Sequence, residues 1–341
     1  MRNEKTEPMP DTIAEEFVQE VKRREKKALV MKLMPIGLLA VLMIIFGMIT
    51  PQFLTIHNLY GSLLEQLSIL LVTSLGATFV ILMGGIDLSV EGMVGFAGCF
   101  VGLLVQNTRN SIDLGYLGIL FTVILCALIG GGIGLIHTKL RLPSFIITFS
   151  AGYIAHGLGV LTYKGIPAQI TDEAFRNLYF YKILGLPVLT WIAFAVFSAA
   201  LFLEKKTAFG RYLFAIGDNE KIPVMSGVNV TKVKVLVFVW AGICLGLAGV
   251  MGAAKLGTAQ IYIGQDLLFP TLTAVVVGGT SMSGGQGGVL NTLIGVLIVA
   301  VLQNGMVMVG VPNELQKGVQ GLIIICVIVL SRSRNRKQIV K

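Results

Sequence analysis

Ten apolar stretches divide this chain, at roughly 33–50, 63–84, 88–106, 115–136, 143–163, 188–203, 235–254, 267–281, 289–309 and 315–331. Most are long enough, at 1.5 Å of rise per helical residue, to cross about 30 Å of hydrocarbon. The pattern predicts an all-α polytopic membrane protein of about ten transmembrane helices. The eighth stretch is short of a full crossing and fits half of a re-entrant element.

The polar segments complete the organisation. Residues 1–30 form a polar arm, with Thr12 and Glu15 spaced as a capping box and Ile13, Phe17, Val21 and Ala28 near one helical face. A helix lying on anionic lipid and a solvated charged helix fit it equally. No apolar core stands near the start, so a cleavable signal peptide is not expected. Residues 31–331 form the transmembrane domain, and 332–341 a basic tail. Within the domain, 204–234 is the one long polar interruption. There Asp218 and Asn219 are turn and cap formers, Pro223 suits the first turn of a short helix, and Gly227 before Val228 and Asn229 reads as its stop.

Composition sharpens the class. With 55% hydrophobic and 13% charged residues, the chain has too little polar surface for a soluble globule. The net charge of +9 would point to nucleic acid in a soluble protein; here it tracks the polar loops. Placing the N-terminus inside leaves only Arg109, Lys164, Arg176, Lys182, Lys255 and Lys317 of the 27 Lys and Arg outside, which predicts that both termini are cytoplasmic. Cys99, Cys126, Cys244 and Cys326 all lie in apolar runs, spaced for neither disulfides nor zinc, so buried thiols are expected.

Few residues inside the spans carry chemistry. Span two runs into ILMGGIDLSVEG (Ile81–Gly92), where a glycine pair followed by Asp87 and Ser89 marks a broken helix near Gly84–Ser89. Asp87 can cap the next helix by accepting from its free N–H groups, or line a solute path; the cap is the blander reading. Glu91 sits on the first turn after the break, where a helix N-terminus favours a carboxylate. The stretch TAVVVGGTSMSGGQGGVLNT (Thr273–Thr292) has the glycines of a phosphate cradle without its lysine, and no GxxxxGK[ST] occurs, so re-entrant or tightly packed backbone fits better. Glu65, His156, Asn291, Gln303 and Asn304 read as interhelical hydrogen-bonding groups. The adjacent amides Gln303 and Asn304 suit a polyhydroxylated solute better than an ion. Gly92/Gly95/Gly98/Gly102, Gly130–Gly134 and Gly242/Gly246/Gly249 mark close helix packing. No internal repeat is evident, and the two GG breaks lie on one side, so they would not be equivalent in a five-plus-five inverted arrangement.

Three stretches, GGIDLSV (Gly84–Val90), Gly210–Lys234 and Val276–Val299, make the chain similar to the permease subunits of bacterial ABC importers of the ribose/xylose type. The resemblance implies a pair of permeases, of like chains or paralogues, in the inner membrane. It implies a sugar-type ATPase on the cytoplasmic loops, an extracytoplasmic sugar-binding protein, membrane lipid around the whole and no nucleic acid. It implies that this chain binds no cofactor and is no enzyme, ATP and magnesium being held by the ATPase. The family's ATPase-engaging helix falls on Gly217–Val230, which places Arg211, Gly217, Asp218, Asn219, Glu220 and Gly227 at or near the coupling surface. Two departures stand out: Lys221-Ile222-Pro223 replaces small residues after Glu220, and Glu91 replaces a glycine after DLSV.

The expectation is therefore the membrane subunit of an ATP-driven importer of a monosaccharide, with Asp87, Ser89, Gln303 and Asn304 near the path. A related permease for nucleosides or branched amino acids is the nearest alternative. An ion-coupled secondary transporter would need more ionisable groups at midplane. A non-transporting scaffold predicts that the 217–230 segment has no ATPase partner. A membrane enzyme lacks any converging nucleophile–base or metal-ligand set.

Overall fold

The computed structural model describes residues 34–335, with side chains through 326; the 1–30 arm, its capping box and the last residues of the tail lie outside the described residues. Thirteen helices follow in order: α1 Met34–Ile49, α2 Asn58–Leu82, α3 Val90–Leu104, α4 Tyr116–Leu140, α5 Ser144–Tyr163, α6 Glu173–Phe180, α7 Val188–Lys206, α8 Ala208–Asn219, α9 Lys221–Met225, α10 Val230–Leu256, α11 Leu268–Val277, α12 Val289–Met308 and α13 Asn313–Asn335. Six of them (α2, α4, α5, α7, α10 and α12) are long and apolar enough to cross a membrane. Three more of the ten apolar stretches fall on helices that are shorter among the described residues, α1, α3 and α11, of which α3 and α11 each follow non-helical backbone, and the tenth falls on α13.

Two ends of the bundle are distinguished by what gathers there. At one, the basic end, lie Leu82, the α7–α10 loop and the glycine-rich 278–288 loop. At the far end, β1 (Ala168–Gln169) pairs antiparallel with β4 (Thr258–Ala259), near Tyr163, Val105 and the short α6. A second two-residue hairpin, β2 (Lys182–Ile183) with β3 (Leu186–Pro187), leads into α7.

The interior is α2, α10 and α12, while α4, α5 and α7 show most of their apolar surface outward. Lipid tails are as apolar as leucine, so helix contact here rests on close packing and hydrogen bonds. The glycines supply the first. A methyl on Gly130 of α4 would run into the Phe238 carbonyl of α10, and one on Gly242 into the Cys126 carbonyl. Hydroxyl pairs supply the second: Thr73 with Thr271 at 2.9 Å ties α2 to α11, and Thr78 with Thr292 at 2.6 Å ties α2 to α12.

Two half-helices organise the centre. Segment 83–89 is non-helical, and α3 starts only at Val90, beside Gly152 in the middle of α5. On the other side, backbone after α10 descends through a 3-10 turn, Ile261–Gly264, whose Ile261 packs on Gly95 and whose Gly264 packs on the Glu91 carbonyl. Then α11 begins and runs to the basic end. The structural counterpart of the 83–89 break is thus the 257–267 segment and not the second GG pair, which shares its end of the bundle.

Three thiols are buried as expected, but Cys326 is exposed on the outward face of α13. His156 also departs from expectation: it is exposed on α5 and, among the described residues, bonds to no neighbouring helix.

Candidate functional site: a glycine junction, a broken helix and an amide cleft

The basic end brings the three glycine-marked stretches into contact. Gly217, near the end of α8, sits so close to the Leu82 carbonyl and the Gly285 amide that no side chain fits. Gly285 N in turn donates to Leu82 O at 2.9 Å. Its φ of +71°, and +85° at Gly284, are left-handed values that a side chain would strain, so the 278–288 loop reaches this contact only with glycine. The loop's exit is held from α7: Glu204, buried, accepts from Val289 N at the start of α12. A carboxylate suits a helix N-terminus.

From this junction α9 projects. Asn219 Oδ1 accepts from Lys221 N at 3.1 Å, opening the turn, and Pro223 is the buried residue of the helix. Gly227, at φ +76°, ends it, with Val228 N donating to Pro223 O at 3.0 Å. Glu220 accepts from Lys234 of α10 at 2.8 Å, bracing the helix against the span that follows. Ile222, Val224 and Met225 are left exposed, Met225 at 87%. Arg211 and Asp218 lie on the same surface, Arg211 exposed on α8 and Asp218 against Gly285.

One step from the junction, the broken helix is zipped to α5. Ile86 N donates to Ser144 Oγ and Leu88 N to Thr148 Oγ1, both at 2.9 Å, while Thr148 Oγ1 also donates to Ile86 O at 3.3 Å. Two hydroxyls four residues apart on one helix face thereby satisfy backbone groups that hydrocarbon would leave unpaired. Neither Ser144 nor Thr148 was among the candidates, although their i, i+4 spacing at the head of span five is visible in the sequence. Asp87 behaves differently from the expected cap. Its Oδ1 accepts from Ser89 N at 2.8 Å and Ser89 Oγ at 2.6 Å, closing the turn before α3 and capping no residue within it. Both residues are buried.

Glu91 marks where the halves meet. Its Oε1 accepts from Leu268 N at 3.4 Å, so one carboxylate stands at the first turn of α3 and at the start of α11.

The four path candidates do not converge. Asp87 and Ser89 lie against α5. Gln303 and Asn304, though adjacent, face different neighbours. Asn304 exchanges hydrogen bonds with Asn58 at 2.9 and 3.1 Å, a buried amide pair that clamps α12 to the start of α2. Gln303 lines a cleft of about 250 Å3 between α2, α11, α12 and α13, together with Gln66, Asp266, Gln316, Lys317 and Gln320. Of these only Gln303 was a candidate. The others come from separate elements and gain meaning from proximity alone. At the far end, Tyr179 donates to Glu65 at 3.1 Å, with Lys255 3.8 Å from the same oxygen. Burial, then the Glu65 carboxylate, raises the Tyr179 hydroxyl above its ordinary value, so it stays a donor. Among the described residues no cluster of His, Cys, Asp and Glu could hold a metal ion.

Sequence comparison converges on the same picture. The family model described as "Branched-chain amino acid transport system / permease component" matches residues 59–328. The ribose import permease protein RbsC of Escherichia coli (strain K12) is 33% identical over 316 residues, covering 92% of this chain and 96% of its own. That of Bacillus subtilis (strain 168) is 35% identical over 323 residues, 94% of this chain and 99% of its own. The L-arabinose ABC transporter permease protein AraH of Azospirillum brasilense is 32% identical over 316 residues, 89% of this chain and 88% of its own. No solved structure matches the chain.

Proposed function

Since this chain belongs to the family of permease components of branched-chain amino acid transport systems, and is a multi-pass inner-membrane permease subunit of an ABC importer, we propose that its solute is a monosaccharide of the ribose type. The near-full-length ribose and arabinose permease relatives support that solute class over the amino acids in the family's description. ATP is hydrolysed by a partner ATPase, a substrate-binding protein delivers the solute, and this chain needs no cofactor of its own. The basic end is the cytoplasmic one. Ten segments then cross in alternation, α3 and α11 completing their crossings with non-helical backbone, and both termini are cytoplasmic. The assembly holds two permease chains.

The observation that carries the coupling half of this reading is the junction beneath α9. An ATPase seated on Ile222, Val224 and Met225 pushes on α9, and Gly217 passes the displacement to Leu82, where the broken helix begins, and to the 278–288 loop, which leads into α12. Packed elements of this kind move as units between discrete arrangements. Arg211, Asp218, Asn219 and Glu220 belong to the docking surface, and Gly227 fixes the exit of its helix.

The test is uptake of labelled ribose by proteoliposomes holding this chain, its ATPase and its binding protein, with ATP inside. We expect ATP-dependent uptake that falls at least tenfold in Gly217→Leu, which drives a side chain into the Leu82 carbonyl, and in Gly227→Trp. Uptake of leucine in place of ribose would reassign the solute. Uptake driven by an ion gradient without ATP would overturn the importer reading.

A further inference from the structure

Gln66 Nε2 donates to Gln303 Oε1 at 3.0 Å, and this bond leaves the Gln66 carbonyl and both N–H groups of Gln303 without a protein partner among the described residues. Both side chains line the 250 Å3 cleft. Its lining runs from Asn313, the first residue of α13, to Leu267, next to the Leu268 amide that meets Glu91. The cleft therefore leads from the far end to the middle of the bundle, where the two half-helices begin. Gln316 and Gln320 face it from α13, and both are largely buried. Asp266, held at φ +65°, pairs with Lys317 at 2.9 Å, joining the turn before α11 to α13.

Polar side chains at this depth are costly unless they meet water, protein or solute. Four glutamines from three helices converge on one space, and each amide offers a donor and an acceptor side by side. Vicinal hydroxyls present the same paired functions. The Asp266–Lys317 pair adds no net charge of its own to the cleft. The volume lies just under the roughly 300 Å3 at which pockets for drug-sized ligands begin, a size for a smaller solute. We propose that this cleft is the far-end half of the solute path, and that Gln66 and Gln303 bind the vicinal hydroxyls of a neutral polyhydroxylated solute. The inference rests on the importer reading above and supplies the chemistry of its recognition.

Two arms test it in the reconstituted complex. In the first, Gln66→Leu and Gln303→Leu raise the KM for ribose-loaded binding protein at least tenfold. In the second, Gln303→Cys, placed in a chain with its four native cysteines changed to alanine, reacts with a charged methanethiosulfonate reagent added from the far side. Ribose-loaded binding protein slows that labelling at least threefold. If the leucine variants fail to fold, the labelling arm decides alone. An unreactive Gln303→Cys, or an unchanged KM in both leucine variants with wild-type import intact, overturns the cleft while the importer stands. Protection by leucine and not by ribose overturns the polyhydroxylated class. Wild-type vesicles with no ATP-dependent import overturn the importer reading and the cleft with it.

Discussion

Ser144 and Thr148 do for the 83–89 segment what a helix would otherwise do for itself. Each removes one backbone N–H from an apolar surrounding, and an unsatisfied buried donor costs about 1–3 kcal/mol. Ser144→Ala with Thr148→Val should therefore lower the melting temperature of the detergent-solubilised chain clearly, with Thr148→Ser close to wild type because it keeps the hydroxyl. A double variant that melts with the wild type would mean water reaches the segment. Glu220→Ala should behave in the opposite way. Its ion pair with Lys234 is half exposed, pairs of this kind contribute about 0–1 kcal/mol, and the melting temperature should barely move. ATPase affinity, read by pull-down, is where that loss should show. Asp87 teaches the limit of sequence at this level. A carboxylate after a glycine pair announces a broken helix, but whether it caps the next helix or closes the turn before it depends on the φ and ψ of Leu88 and Ser89. The sequence is silent on those.

Helix existence was legible almost throughout, since apolar runs bounded by charged or glycine-rich segments have one stable form in hydrocarbon. The α5, α7 and α12 starts at Ser144, Val188 and Val289 fall within a residue of the sequence boundaries. Pairing was not legible. The glycine stripes predicted close contacts without partners, and the opposed halves, α3 and α11, share no motif because irregular backbone tolerates many sequences. Their meeting at Glu91 could not be read from a lone acidic residue. The carboxylate there faces the positive ends of two helices, each interaction being of order 0.3–1 kcal/mol near a surface and up to about 2 where buried. Glu91→Gly should lose both and the Leu268 hydrogen bond, while Glu91→Gln keeps an acceptor and loses only charge. Thermal melts of the two variants separate these contributions: equal losses would assign the effect to charge alone.

Taken together, the bundle has a rigid interior of α2, α10 and α12, wrapped by helices whose apolar faces remain outward. Both proposed working regions border α2: the glycine junction at Leu82 and the amide cleft at Gln66 lie on one helix, some 16 residues and hence about 24 Å apart. A stiff rod linking the two ends is the simplest mechanical connection between ATPase and solute. The direction we propose for it in the membrane rests on charge, which the sequence carries openly. Cysteines introduced at Gly227 and at Leu184, which is 86% exposed in the far-end hairpin, should be labelled from opposite sides of sealed vesicles. Labelling from one side would reverse or refute the alternating crossings. The cleft was invisible beforehand for the converse reason: Gln66, Asp266, Gln303 and Gln316 lie far apart in the chain and become a site only through packing.

The amides of the non-helical 83–89 segment also report on its motion. Those at Ile86 and Leu88 are restrained by two rotatable side-chain hydroxyls and not by a helical ladder. Deuterium uptake there should be set by how often α5 lifts away, independently of helix unwinding elsewhere. Mass spectrometry of a peptide spanning this segment would thus count openings of the broken helix directly, and faster exchange with ATPase and ATP present would time the stroke from inside the protein.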